Sequence, residues 1–574
     1  IASVVVVMIH MLLLGYSTLE SQLISNIYMN LNKRYNMKYP INKLTIGLLS
    51  VASVMVVSCT DGYLDTAPSE SISPQAAYAT TNNARSTLNG IAKVMSVQQG
   101  QYGQGFAGEN AIIRYYENIP SQNYNYNYYA PGLSPLHNQE WHDRATTKYD
   151  SYAWAYYYQI ITNANAFILN IDEAKGPEAD KKFLKASALT FRAYAYEKLV
   201  HYFCYRWQDS NNGSTRGLPI RLDLSTGELK ASTLAEVYQQ IYKDCEEAIQ
   251  LFTESGQTRD ASRCWIADVN TAHAVYARAA LTRQDYATAL AQAKLAEVNR
   301  PLMNRSEYAG GFYKPTKEWI FGSYGGDTEQ LWYWAFGASD ACNGNNATKK
   351  STGAGTIGHE LINRIPNDDA RKELFITQDK FTSIDITDNK QVDQENGIIG
   401  LGNKNVLEEA KAIVKAHQLP GLPAAYASKV IYLDGHMKFW VTTLPGVSYV
   451  PFIRSSEMVL IEAEANYFLG NTADAQAALV RLNASTDRTP GYTCTKTGQD
   501  LFDEIKDYRE VELWGEGFAW SDYKRWNIPV VRHSFAEGGN AHPTVSLTIP
   551  ADAGNKWTWV YPQDEIDYND LVKE

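Results

Sequence analysis

Three kinds of side chain in this sequence have the type and spacing to do chemistry: aromatic rings with polar tips, scattered carboxylates, and one cysteine that ends an apolar run. The rings are the most unusual, with 39 Tyr and 13 Trp against only 17 Phe. Such rings join an apolar face to a hydrogen-bonding edge and so suit surfaces that are half wet. Many fall in two stretches rich in Gly and Asn. The first, Gly100–Trp141, contains Tyr124, Tyr126, Tyr128 and Tyr129 interleaved with Asn123, Asn125 and Asn127. The second, Trp319–Thr356, contains a strand-like run, Gln330–Phe336, whose alternation sets Trp332, Trp334 and Phe336 on one face. A sugar presents apolar C–H faces and polar rims, so a site for one needs stacked aromatics beside amide or charged side chains. Tyr124, Tyr126, Tyr128, Tyr129 and Trp141, with Tyr324, Trp332, Trp334 and Asn343, are therefore the candidate ligand contacts. The competing role of each ring is core packing. It weighs more on the tryptophans than on Tyr126 and Tyr128, because tyrosines alternating with Asn are hard to bury together.

Catalytic patterns are weaker. Gly103–Gly108 satisfies GxGxxG, but no apolar strand precedes it and no clear amphipathic helix follows, so the dinucleotide context fails. His359-Glu360-Leu361-Ile362-Asn363 opens like a zinc-protease motif but has Asn where the second ligand must stand, and reads as a helix start. The acidic run Asp385, Asp388, Asp393 and Glu395 offers oxygen ligands for a structural Ca²⁺, yet lacks the EF-hand register and reads first as a solvated loop. Paired glycosidase carboxylates cannot be picked out by spacing, since their separation is a property of the folded chain. The expectation is a non-enzyme without a cofactor.

The cysteine is Cys59. Lys38 and Lys43 form a positive region, Leu44–Val57 an apolar one, and Val56-Val57-Ser58-Cys59 closes it, the layout of a secretory signal. A Cys after a small residue at the cleavage point resembles the bacterial lipobox, in which the thiol is acylated. Residues 1–36 are expected to be an upstream extension, 37–58 the lipoprotein signal peptide, and 59–574 the mature chain. The net charge of −11 becomes about −14 after Cys59, with no long basic run, which argues against nucleic acid and favours uncharged ligands. No later segment offers the 18 or more apolar residues of a membrane span. Five wide-spaced cysteines remain, so at least one thiol is expected free.

The elements that must position the aromatic loops are helical. Val269–Pro301 has small residues at Ala277, Ala289 and Ala296 and a closing Pro301, the spacing of a tetratricopeptide hairpin. Ser456–Asn483 repeats the form around a Gly470-Asn471 turn, with Ala463 and Ala475 at the close contacts. Looser pairs are Tyr152–Glu173 with Lys181–Tyr205, and Leu234–Phe252 leading into the first unit. Apolar residues recur there every three to four positions, as in packed amphipathic helices. The fold expected is mainly α: a tetratricopeptide-like hairpin scaffold, at about 152–205, 234–301 and 456–526, with long irregular loops and a few short strands. Rings on those helices, such as Tyr152, Trp154, Tyr156, Tyr157, Tyr194, Tyr196 and Tyr202, are expected to pack rather than to bind.

Several segments also resemble one family. Cys59–Leu64 with Asp65 and Pro68, Phe191–Leu199 (FRAYAYEKL), Ile453–Ala465 (IRSSEMVLIEAEA), Arg509–Trp526 (REVELWGEGFAWSDYKRW) and Tyr561–Asp567 (YPQDEID) are similar, in order, to anchors of the SusD/RagB outer-membrane lipoproteins of Bacteroidetes. The sequence departs from the pattern at Phe518-Ala519-Trp520, where Arg-Trp or Arg-Arg usually follows Glu-Gly. The resemblance implies a cell-surface nutrient-binding lipoprotein that captures oligosaccharide and delivers it to a SusC-like TonB-dependent transporter, tethered through Cys59 and facing the cell exterior. A peptide-binding, RagB-like receptor is the alternative within the family. A surface glycoside hydrolase or a tetratricopeptide protein scaffold are the readings outside it.

Overall fold

Capping residues and stripes of alanine convert much of this chain into antiparallel helical hairpins. The structure is a computed structural model and describes residues 74–125, 131–324, 335–346, 355–427, 430–555 and 557–573. Its principal helices are α1 (Thr81–Val94), α2 (Lys148–Asn170), α3 (Glu178–Phe203), α4 (Leu234–Ser255), α5 (Val269–Thr282), α6 (Tyr286–Ala296), α7 (Lys404–Ala416), α8 (Ser455–Phe468), α9 (Thr472–Asn483), α10 (Gly498–Glu512) and α11 (Ala519–Trp526). The starts are written in sequence. Thr233 and Glu236 form a reciprocal capping box on α4, and Asp268 receives Thr271 N at the head of α5. Helix α4 stops at Gly256, whose φ of +62° is the left-handed conformation glycine adopts at little cost.

The helices stack in order. Helix α2 packs on α3, α3 on α4, α4 on α5 and α5 on α6, and α6 then packs on α8, which pairs with α9. The alanines make the close contacts: Ala274, Ala277 and Ala280 on α5, Ala289, Ala293 and Ala296 on α6, and Ala463, Ala475 and Ala478 on α8 and α9 are all buried. The expected mainly helical hairpin scaffold is therefore present. Helix α3 is its axis, buried on nearly every side from Phe183 to Phe203. It carries Arg192 into the interior, where Nε and Nη2 donate to the two oxygens of Asp244 on α4 at 2.8 and 2.7 Å.

Between α6 and α8 the chain leaves the stack. That excursion begins with strand β1 (Trp319–Gly322), builds a second, smaller core around Ile376, Ile398, Tyr432 and Trp440 under α7, and returns through strand β2 (Pro451–Arg454). The two strands pair antiparallel, with Trp319 opposite Arg454 and Gly322 opposite Pro451. Three other short antiparallel ribbons are present among the described residues, one of them joining Tyr124–Asn125 to Thr356–Ile357.

Where excursion, stack and C-terminal segment meet, the interior is ionic. Arg454 donates to Glu512 at 3.0 Å, to Glu516 at 2.7 and 2.8 Å, and to Glu318. Arg488 reaches Glu318 at 2.6 Å, Arg371 holds Asp369 at 2.7 and 2.8 Å and Glu512 at 3.2 Å, and Lys438 binds Glu516 at 2.6 Å. The four cations face four carboxylates, none with more than 2% of its side chain exposed. Burial alone would raise the Glu512 carboxyl, but Arg488, Arg454 and Arg371 beside it hold it far below the usual range. Charges buried at this depth are tolerable only when all are paired.

Two measurements test this interior. Arg454→Met leaves Glu512 and Glu516 under-compensated and is expected to cost about 3–5 kcal/mol in urea unfolding at neutral pH; a loss under about 1 kcal/mol would show that the cluster does not hold the segments together. The second concerns Asp150, fully buried in the first turn of α2, with neither carboxyl oxygen hydrogen-bonded and a pKa that burial pushes up to about 8. An unfolded Asp titrates near 4, so the native state keeps a proton that the unfolded chain releases. Its contribution is complete below about pH 4 and is lost as pH rises toward 8. Asp150→Asn is expected to flatten the fall in Tm between about pH 5 and pH 8.5, and identical pH profiles in both proteins would contradict that assignment.

Candidate functional site

The β1–β2 pair runs on into a junction of three chain segments. Past the strands, Gly322 N donates to Cys264 O at 3.1 Å, Ser323 N to Val450 O at 2.8 Å, and Val450 N to Ser323 Oγ at 2.8 Å. Gly322 allows this approach: a Cβ there would sit 3.0 Å from both Cys264 Sγ and Val450 O. The residue next to each junction position is aromatic and half-buried: Trp265 after Cys264, Tyr324 after Ser323, and Tyr449 before Val450. Their rings touch. The centroids of Trp265 and Tyr324 are 4.9 Å apart, edge to face at 71°, and Trp265 and Tyr449 lie 6.4 Å apart with planes 21° from parallel. Tyr449 N also donates to Tyr313 O at 3.1 Å, which ties this segment to residue 313, whose half-buried ring packs toward the second core with Lys314 Nζ 5.2 Å from its centre.

Such a group offers apolar ring faces with phenol edges, carried on main chain that is locked from behind, while the Trp265 indole Nε1 is buried without a hydrogen-bond partner. It can stack on a flat ligand and hydrogen-bond its rim. It provides no nucleophile, and the carboxylates of the buried ionic cluster are committed to cations.

The structure places the expected contacts in different environments. Tyr324 is in the group just described. Tyr124 is not a ligand contact: it is 2% exposed, stacks on Trp514 at 4.9 Å, and its hydroxyl donates to buried Asp340 at 2.6 Å. The Tyr124–Asn125 ribbon pulls the head of the Tyr/Asn run inside, where the phenol finds a carboxylate, so alternation with Asn did not keep it wet. Asn343 is likewise structural. Its Nδ2 donates to Pro423 O and Val441 O and its Oδ1 receives Val441 N, a latch between loops at 3% exposure. Trp141 is half-buried and stacks on Tyr149 at 4.7 Å, in a separate aromatic group with Phe106 and Tyr115. Phe336 is buried and opens a short helix, Phe336–Asp340, instead of ending a strand, because Gly337 and Gly446 let that turn dock closely. Tyr126, Tyr128, Tyr129, Trp332, Trp334 and Cys59 lie outside the described residues.

The discarded motifs have structural roles. His359 opens the helix His359–Arg364 and points Nδ1 at Asp434, 2.8 Å away. The glycines of the GxGxxG match form a turn in which Gln98 Oε1 receives Gly105 N and Gly108 O receives the Tyr152 hydroxyl. In the acidic run, Asp385, Asp388 and Asp393 accept from backbone N–H groups two residues on. Among the described residues no three His, Cys, Asp or Glu side chains are grouped to hold a metal ion. All five described cysteines are free and four are buried.

Trp265 and Tyr449 were not foreseen. Each lies within a residue of the junction, but the pairings that bring them together join positions 58 and 127 residues apart, Gly322 with Cys264 and Ser323 with Val450, and nothing local marks them.

Comparison with known proteins identifies the family and the fold. Residues 62–281 match a family described as starch-binding and associating with the outer membrane, and residues 282–572 match the SusD family. Among solved structures, a SusD-like carbohydrate binding protein from Bacteroides vulgatus superposes with a TM-score of 0.66 at 21% identity, covering 86% of this chain and 98% of that one. A SusD superfamily protein from Bacteroides thetaiotaomicron gives 0.63 at 20% identity, over 86% and 99%. A laminarin-binding SusD-like protein gives 0.56 at 18% identity, over 86% and 98%. No curated protein sequence matches.

The reassignment of Tyr124 can be checked directly. Tyr124→Phe removes the donor to buried Asp340 and is expected to cost about 1–3 kcal/mol in chemical denaturation; a change below about 0.5 kcal/mol would mean that the hydroxyl faces solvent.

Proposed function

Because this chain belongs to the SusD family, we propose that it is a glycan-binding lipoprotein of the outer membrane, which holds oligosaccharide on the Trp265–Tyr324–Tyr449 platform. The observation that carries the reading is the platform itself: three half-buried rings from three distant segments, set side by side by main-chain hydrogen bonds. Trp265 and Tyr449 rest partly on the core, yet all three residues are only half-buried. The descriptions of the matched families and of the laminarin-binding relative support a carbohydrate ligand.

The remaining parts of the reading follow from the family. The chain binds without turnover and passes its ligand to a SusC-like TonB-dependent transporter. It is tethered by a lipid on Cys59 and faces the cell exterior. Among the described residues no helix is long and apolar enough to cross a membrane. Trp332 and Trp334 lie on the span that leaves the platform at Tyr324, and we assign them to the ligand, with Tyr126, Tyr128 and Tyr129 as contacts from the first loop.

Isothermal titration of the chain starting after Cys59 with maltoheptaose and laminarihexaose tests the reading. One of the two is expected to bind and to be recovered unchanged. Trp265→Ala is expected to weaken that binding about tenfold, the equivalent of about 1.4 kcal/mol for a lost ring contact. Tyr324→Ala and Tyr449→Ala are expected to weaken it severalfold. Binding of peptides but of neither glycan would favour the RagB-like alternative, and release of shortened sugars would make the protein a hydrolase.

A further inference from the structure

Trp265 and Tyr449 rest against the main core, but the angle between the platform rings is set by the main chain that carries them. Arg259 is placed to hold that main chain. It is 8% exposed and lies in the loop between α4 and α5. Its Nη1 donates to Cys264 O at 3.2 Å and Ile266 O at 3.0 Å, the two carbonyls that flank Trp265, and to Ile320 O in β1 at 2.6 Å. Its Nη2 donates to Trp319 O in β1 at 3.0 Å. The one carboxylate near it, Asp268 Oδ2, is 3.4 Å from Nε and is also held by Arg300 Nη2 at 2.7 Å. Asp268 caps α5, so the guanidinium is tied in turn to the helical stack.

A buried arginine is ordinarily neutralised in a bidentate carboxylate pair. This one spends its fork on four carbonyls of two segments, and those segments carry Trp265 and lead into Tyr324. We infer that Arg259 is the positioning residue of the ligand platform: it clamps the main chain on both sides of Trp265 to strand β1 and so presents the indole at a fixed angle to Tyr324 and Tyr449. The inference rests on the proposed ligand role of those rings. It concerns pre-organisation, because a ring that must be ordered on binding costs affinity that a pre-set ring does not. Lysine cannot substitute. Its three N–H donors radiate from one atom and cannot reproduce the four carbonyl contacts that the two Nη atoms of a planar five-donor fork hold.

A double-mutant cycle separates positioning from general stability, read by titration with whichever of maltoheptaose and laminarihexaose binds the wild type. Arg259→Lys is expected to weaken binding about tenfold in the wild-type background and less than about threefold in the Trp265→Ala background, because it acts through the indole. Arg532→Lys is the control. Arg532 is a buried arginine that also donates to carbonyls, those of Val545, Ser121 and His137, away from the platform. It is expected to lower Tm while changing affinity by less than about twofold. If Arg259→Lys does not purify folded, Arg259→Gln takes its place. Equal losses in both backgrounds, no loss in the wild-type background, or an equal loss from Arg532→Lys would each overturn the inference while leaving the platform intact. If Trp265→Ala itself leaves affinity unchanged, the platform reading fails first, and the positioning role with it.

Discussion

The constraint on which the rest of this structure depends is the pairing of four buried cations with four buried carboxylates. The ions come from separate stretches: Glu318 before β1, Asp369 and Arg371 from a short helix, Lys438 from the excursion, Arg454 at the end of β2, Arg488 after α9, and Glu512 and Glu516 around the end of α10. A hydrophobic contact can slide by a residue at modest cost; an ion stranded without its partner cannot. Only one docking of the excursion onto the helical stack completes every pair. Glu318 and Arg454 also flank the two strands at their Trp319–Arg454 register point, so the cluster that sets the docking also sets the strands from which the aromatic platform grows.

The excess of tyrosine over phenylalanine has a related origin. In the helical stack the hydroxyls are consumed inside. Tyr156, Tyr157 and Tyr194 all donate to buried Glu109, and Tyr202 donates to buried Glu117, which also receives Ser521 N. Tyr152, Tyr158 and Tyr196 pin carbonyls outside the helices, at Gly108, Pro219 and Arg221. Phenylalanine would fill the same space but leave those acceptors without donors. Polar-tipped rings are thus the means by which long irregular loops are fastened to helices, and the half-wet rings of the platform are a minority of the total.

Much of the scaffold was legible from local pattern, because a hairpin is a local object. The alanine stripes at Ala277, Ala289 and Ala296, and at Ala463 and Ala475, announced both tetratricopeptide-like units, and the ring-bearing faces of α2 and α3 packed as their periodicity implied. The proposed ligand surface was legible only in part. Tyr324 stood in a stretch whose composition pointed to a surface, and it is on one. Tyr124 and Asn343 stood in similar stretches and are inside, because what decides their exposure is a ribbon to Thr356–Ile357 and a latch to Val441, contacts made far along the chain. Trp265 and Tyr449 were silent for the same reason. Composition reports that a segment is irregular and aromatic, but which of its rings stays wet is settled by non-local pairing.

The clamp beneath the platform also bears on how such a surface can change over evolutionary time. Arg259 grips carbonyl groups, which every residue type possesses, and Ser323 Oγ accepts from an amide N–H that every residue but proline has, so neither makes a demand on the side chains at 265, 324 and 449. The frame and the proposed ligand-facing surface are therefore specified by different residues. On the proposed reading, substitutions at the three ring positions would exchange one ligand for another without renegotiating the fold, and a lineage would change what it captures while inheriting the same architecture.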